Sequence, residues 1–365
     1  MAVYTTIDNG NTQFDASSWT GNWVPGDGAG FSRNITTPFR PGMVWVKARN
    51  MSGRSHYLYQ EAEGFGANKE LVPNASVQEG DTANHNTGAN GYVGGTTSTS
   101  FSVVAGSSNA NYVNQGTSYN YVGWTWKGTN STSNNTDGNI TINSSTNSTS
   151  KFTMGIYTGN GSAGATIGHG LGVKPAAIFI KVRNTADDWA VWHHKDSTST
   201  LRLNSSAANN DGKFASFFNS TQPSTSVITL GGDAQVNGNG NSYLMFCWAE
   251  VKGYSAFGRY SGNGSADGPF CYTGFKPAFV FNKNISASGN WRMNDNQRNP
   301  TNVVNLGLNA NENAVEFSQN TYDFYSNGFK VVDSGGANNN GEDFVYWAWA
   351  ENPFVSSAGV PTTAR

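Results

Sequence analysis

Residues 275–283 read "FKPAFVFNK", and two earlier segments repeat the design: "FRPGMVWVK" at 39–47 and "GVKPAAIFIK" at 172–181. Each sets a proline, an alternating run of large residues, and a lysine six positions after that proline. Side chains on a strand alternate faces. Val44, Ile178 and Val280 therefore share one face, which should meet a core. Trp45, Phe179 and Phe281 share the other face with the aliphatic stems of Lys47, Lys181 and Lys283. Proline suits the start of a strand because it cannot donate to an interior ladder.

Each proline strand is answered further along by a second aromatic one: "YVGWTWK" (121–127), "YLMFCWAE" (243–250) and "FVYWAWAE" (344–351). Trp126, Trp248 and Trp349 align, with Trp124, Phe246 and Trp347 two residues earlier. Period-two aromatics mark one buried face of a strand. Ahead of each proline strand stands a glycine phrase: "WTGNW" (19–23), "YTGNGSA" (157–163) and "YSGNGSA" (260–266). It reads as a turn in which Gly supplies positive φ, with no ligand expected there. Further short strands, "SFSVV", "TSVITL" and "NGFKVV", complete each unit, and helical periodicity is nearly absent.

The fold class expected is all-β: three tandem antiparallel β-sandwich repeats of jelly-roll or lectin-like kind. The expected division is a divergent first repeat at 1–128 with a short N-terminal lead, an Asn/Ser/Thr-rich linker or hairpin at 129–150, repeats at 151–252 and 253–355, and a tail at 356–365.

Composition narrows the function. Only 13% of residues are charged and the net charge is −2, so the clustered cations that nucleic acid requires are missing. No apolar run is long enough to span a bilayer as a helix, and the start "MAVYTTIDNG" has neither the basic nor the apolar region of a secretory signal. Eleven Trp, fifteen Tyr and twenty-one Phe argue against disorder. Cys247 and Cys271 both sit in apolar runs and read as reduced core thiols.

The segments "YSGNGSADGPFCYTGFKPAFVFNK", "NWRMNDNQRNPTNVVN", "FYSNGFKVVDSG" and "YWAWAENPFVSSAGVPTTAR" resemble a repeat-containing family of tailed bacteriophages that infect marine bacteria, of cyanophage or pelagiphage type. The start "MAVYTTIDN" and "GATIGHGLGVKP" are similar to it too, and the first unit departs most. The resemblance implies a virion structural or tail-fibre protein, assembled in the host cytoplasm, and brings no catalytic residues with it. Expected partners are other tail or capsid proteins, further copies of the chain as a homo-oligomer (a trimer by analogy with fibres), and a host-surface glycan or receptor.

Site chemistry is sparse. Glycan sites join an aromatic platform to a few polar groups, which singles out Trp189 and Trp192 in "DDWAVWHH" and Trp291, Arg292, Asp295 and Arg298 in "NWRMNDNQRNP"; the alternative is that these tryptophans fill the sandwich core or the contact between units. The two residues Trp189 and Trp192 lie three apart, so they face opposite sides of a strand and one should serve a surface or interface. Asp233, Asn237, Asn239 and Asn241 could offer oxygens to calcium, although the twelve-residue loop ending in Glu is missing and Asn-Gly is first a hairpin signal. The glycines of "GNGSAG" precede a β-pattern rather than a helix, which disfavours phosphate. The His193–His194 pair points to opposite strand faces, which disfavours a metal. Glu250 and Glu351 follow the closing strands and should cap the aromatic ladder or pair with the proline-strand lysines. No cofactor and no enzymatic activity are expected. A glycan depolymerase needs paired carboxylates that do not recur here. The reading is a virion protein for host attachment, with a capsid decoration or cement protein as the alternative.

Overall fold

The computed structural model describes residues 4–83, 85–108, 112–209 and 212–361. It is all-β, built from several antiparallel sheets. One arrangement of four strands occurs three times. An opening strand pairs with a closing strand, the closing strand with the proline strand, and the proline strand with a third strand.

In the first sheet these are Phe14–Thr20, Asn120–Lys127, Pro41–Ala48 and Tyr57–Gln60. In the second they are Phe152–Thr158, Ser242–Trp248, Ala177–Val182 and Ala190–His193. In the third they are Ser255–Ser261, Asp343–Pro353, Phe275–Asn284 and Arg292–Asp295. Pro41 and Pro277 sit at irregularities of their ladders, where a missing N–H is tolerated.

In the first two sheets the alternation sends the two faces of the proline strand to different cores. Val44 and Val46 pack with Ile35, Phe101 and Val103 from a second, three-stranded sheet (Ser32–Thr36, Ser100–Val104, Tyr92–Thr97). Ile178 and Ile180 likewise meet Ile167, Ile228 and Leu230 from the pair Ala165–Gly168 and Val227–Leu230. In the third sheet the outer strands continue the ladder, so eight strands form one sheet. Cys247 and Cys271 are free and buried.

The opposite, aromatic faces converge. Trp45, Trp126, Phe179, Trp248, Phe281 and Trp349 belong to one buried cluster drawn from all three sheets. Trp126 meets Trp349 edge-on at 5.2 Å, Trp45 meets Phe281 at 6.2 Å, and Phe179 meets Trp347 at 6.0 Å. The void left among these rings is only about 20 Å³, little more than one water. Burying several such side chains, at about 1.5–3 kcal/mol each, makes this shared core a major source of cohesion.

Of the two readings for residues 129–150, linker or hairpin, the structure has the hairpin: Ser133–Asn135 and Ile142–Asn147 pair on the edge of the second sheet, where Ile142 is buried against Gly155. One sequence expectation needs correction. The lysines are buried to their ammonium groups, not only along their stems. Lys181 donates to the Asp187 carbonyl (2.8 Å) and Lys283 to the Gly289 carbonyl (2.6 Å). Among the described residues the α-helices are single turns at Thr87–Asn90, Phe214–Phe218 and Ala234–Asn237.

Candidate functional site

The aromatic residues singled out as a sugar platform lie inside the molecule. Trp189 and Trp291 are fully buried and Trp192 is nearly so. In this structure none of the three offers a ring face to a ligand, a correction to the sequence reading. The offset of three between Trp189 and Trp192 does separate them. Trp192 enters the core of the second sheet and donates to the Ser197 carbonyl (3.1 Å), while Trp189 reaches another sheet.

Register explains where Trp189 and Trp291 go. Trp45 pairs with Leu58, Phe179 with Val191 and Phe281 with Met293. His56, Trp189 and Trp291 therefore occupy one equivalent position, two residues before those partners. Each places a ring nitrogen on a carbonyl of the next sheet: His56 Nε2 on Asn309 (3.0 Å), Trp189 Nε1 on Val72 (3.0 Å) and Trp291 Nε1 on Arg202 (2.9 Å). The contacts run from first to third, second to first and third to second, a closed cycle. His56 Nδ1 accepts from Trp45 Nε1 (2.9 Å), which leaves the ring proton on Nε2. Burial holds this imidazole's pKa well below the ordinary histidine value, so it stays neutral.

Asp295 and Arg298 belong to the same seam. Asp295 Oδ2 accepts from Trp124 of the first sheet (3.0 Å) and from Arg298 Nε (2.7 Å). Arg298 continues to Glu316 (3.0 Å), which clasps Arg49 through two bonds of 2.9 and 2.8 Å. With Asp295 and the Arg298 side chain buried, this is a cross-sheet ion network and not an open ligand site. His193 and His194 lie 3.3 and 2.6 Å from the Tyr346 and Phe257 carbonyls of the third sheet. Lys276 pairs with Glu351 at 2.8 Å, so the acid that follows the closing strand finds a proline-strand lysine other than Lys283.

The proposed calcium oxygens are also spoken for. Asp233 caps the short helix through Gln235 N (3.0 Å) and pairs with Lys213 (3.1 Å). Asn237 is buried and points its amide at the glycine phrase: Nδ2 donates to the Ser162 and Gly231 carbonyls (3.0 and 2.9 Å), and Oδ1 accepts from Asn160 N (3.0 Å). Asn241 Oδ1 faces Asn184, and Asn239 is exposed. The four do not converge on one point. Asn338 repeats the Asn237 pattern on Ser265, Asp333 and Asn263, and Asn114 bonds Asn22 in both directions. The sequence reading took Asn237 for a hairpin residue or a calcium ligand, whereas it, Asn338 and Asn114 are each a buried clamp on a turn.

Arg292 alone of the predicted residues reaches a groove, of about 450 Å³, on the third sheet. Its guanidinium lies over the half-buried Phe317 ring (5.5 Å) and pairs with Asp333 (3.2 Å). Gly307 and Gly336 leave room for these groups, since a Cβ at either position would fall 2.2 Å from the Phe317 ring or 1.9 Å from Arg292 Nη2. Along the wall Glu312 accepts from Asn290 (2.9 Å) and Asn309 (2.7 Å). Asn309 Oδ1 has no partner within the described residues. A flat ring beside preorganised carboxamides, one carboxylate and one guanidinium suits a hydroxyl-rich ligand held without chemistry. Phe317 was not singled out in the sequence; no motif marks it.

A family model for a domain of unknown function, DUF7483, matches residues 14–353. The chain belongs to that family. The DUF7483 match runs from the first residue of the first opening strand to the last residue of the last closing strand, so it covers all three sheets and their seams. No curated protein and no solved structure matches the chain.

Proposed function

We propose that this DUF7483 chain is a non-enzymatic bacteriophage virion protein made of three β-sandwich repeats, displayed on the particle and used in host attachment. The carrying observation is the closed cycle of equivalent contacts around one aromatic core. It supports a rigid body whose chemistry is confined to loops and polar grooves. The conserved strand order in three sheets supports the repeat reading, and the phage assignment rests on the sequence resemblance. The ligand is a host-surface glycan, with the Arg292–Phe317 groove as its site. The purified chain should bind host cells or isolated envelope glycans without other virion proteins, and failure of a folded sample to do so sinks the attachment role.

The second reading, a capsid decoration protein, draws on the same cycle. One chain presents three equivalent sheets around a common centre, which suits docking on a threefold position without trimerisation. Copies per particle decide between them by gel densitometry: tens to hundreds for decoration, a small multiple of three for a fibre.

A further inference from the structure

The first and second sheets differ at one equivalent place. In the second, the opening strand Phe152–Thr158 has a neighbour on its outer edge, the polar strand Ile142–Asn147. The residues just before it reach the other layer: Ile140 N donates to the Thr166 carbonyl (2.9 Å), Thr166 N donates to Asn139 Oδ1 (2.7 Å), and Ile140 forms a parallel bridge with Ile167. One stretch of Asn, Ser, Thr and Ile thereby closes the open side between the two layers.

In the first sheet no strand among the described residues covers the same side, and only two side chains cross it: Ser17 Oγ donates to the Thr36 carbonyl (3.3 Å) and Arg33 Nη1 to the Thr20 carbonyl (2.6 Å). The opening strand Phe14–Thr20 and the strand Ser32–Thr36 are each paired on one side only. Between them runs a cleft of about 530 Å³, lined by Asp15, Ser17, Arg33, Asn34 and Thr36, with Gln297 at its border. Residues 4–12, which precede the strand as 139–147 precede the second one, pack elsewhere. Tyr4 bonds the Gly274 carbonyl (2.9 Å), and Gly10 lies so close to Ala350 that a Cβ would fall 1.9 Å from its oxygen. An antiparallel strand turns alternate N–H and C=O groups away from its partner. Once an incoming chain displaces the Ser17 and Arg33 side chains from those carbonyls, both walls are strand edges that can template a further strand.

We propose that the cleft between Phe14–Thr20 and Ser32–Thr36 binds an extended polypeptide strand, rich in Ser, Thr and Asn, supplied by a neighbouring protein. The argument for that occupant is the strand that fills the equivalent cleft in the second sheet. The lining sets its side chains. Ser17 stands where the second sheet has Gly155, which lies against Ile142. The seat for an isoleucine is thus reduced, and a small polar residue fits in its place. Asp15, whose carboxyl is pushed above the usual range by burial and accepts from Ser17 (2.7 Å), favours a hydroxyl or carboxamide donor opposite. The cleft is separate from the Arg292 groove and stands whether or not that groove takes a glycan.

The probes are synthetic peptides copying residues 138–147, in native form and with Ile142→Ser, tested on the full chain. Expected are saturable binding, amide-exchange protection confined to residues 15–19 and 32–36, and tighter binding of the serine peptide. A Ser144→Pro peptide, which loses a ladder donor, should not bind. Ser17→Lys in the chain should weaken binding by roughly tenfold or more, by setting a charge on the edge. The proposal is overturned if neither peptide binds a folded sample at millimolar concentration, if protection maps elsewhere, or if the proline peptide binds equally well.

Discussion

Asn338→Ala is the sharpest test of how the glycine phrase is held. The Asn338 side chain is fully buried. Its Nδ2 donates to the Ser265 carbonyl (2.7 Å), the Asp333 carbonyl (2.9 Å) and Asn263 Oδ1 (2.8 Å), and its Oδ1 accepts from Asn263 N (2.9 Å). Truncation strands one N–H and two main-chain carbonyls. A buried group left unpaired costs about 1–3 kcal/mol. The exposed rim of the turn lets water recover part of this, and freeing the side chain returns up to about 1 kcal/mol. A net loss of about 2–4 kcal/mol follows. Urea unfolding should show a lower midpoint with an unchanged slope, and hydrogen exchange should show Gly262 and Gly264 opening first, since their amides bond Glu342 and Asn338. Asn237→Ala should behave alike in the second sheet. A loss under about 1 kcal/mol at both positions would refute the clamp and return these loops to ordinary turns.

Other outcomes follow from the seams and the groove. Trp291→Phe keeps the packing but strands the Ser205 carbonyl, while the Arg202 carbonyl keeps only its bond from Ser205 N (3.2 Å), so it should cost about 1–3 kcal/mol in urea unfolding. Burial lowers the Lys47 pKa to about 7, against a partial upward pull from Glu316, and lowers Lys181 and Lys283 to about 8. Unfolded lysines hold their proton to about pH 10.4. From about pH 7 to 8.5, before the cysteines and tyrosines of the unfolded chain begin to ionise, the unfolded chain therefore binds more protons, and stability should rise with pH; Lys47→Met should reduce that slope. Phe317→Ala and Gly336→Ala should each cut oligosaccharide binding about tenfold or more with little change in the unfolding midpoint, as read by calorimetric titration. Burial raises the Cys247 thiol well above its ordinary value, so native protein should resist alkylation until it unfolds.

Local pattern determined much of this protein. Alternation in "FRPGMVWVK", "GVKPAAIFIK" and "FKPAFVFNK" specified three strands with one aliphatic and one aromatic face, because strand geometry alone separates neighbouring side chains. The glycine phrases marked turns, and Gly161 and Gly264 take positive φ there (73° and 69°). What the aromatic faces meet was not local. Trp189 and Trp291 have the composition of a sugar platform, and only the packing of one sheet on the next turns them into buried donors. The hairpin Ser133–Asn147 has almost no apolar residues, and its sequence reads equally as linker or hairpin. It becomes ordered because an open strand edge supplies the hydrogen bonds that its own sequence does not demand. Asn114, Asn237 and Asn338 look like turn residues until the opening phrase, far away in the chain, folds over them. The groove of Arg292 and Phe317 depends on Gly307 and Gly336, which only the tertiary fold brings beneath those side chains. Strand faces follow from bond geometry along the chain, whereas seams, clamps and clefts follow from which edges and faces remain unsatisfied once the strands have formed.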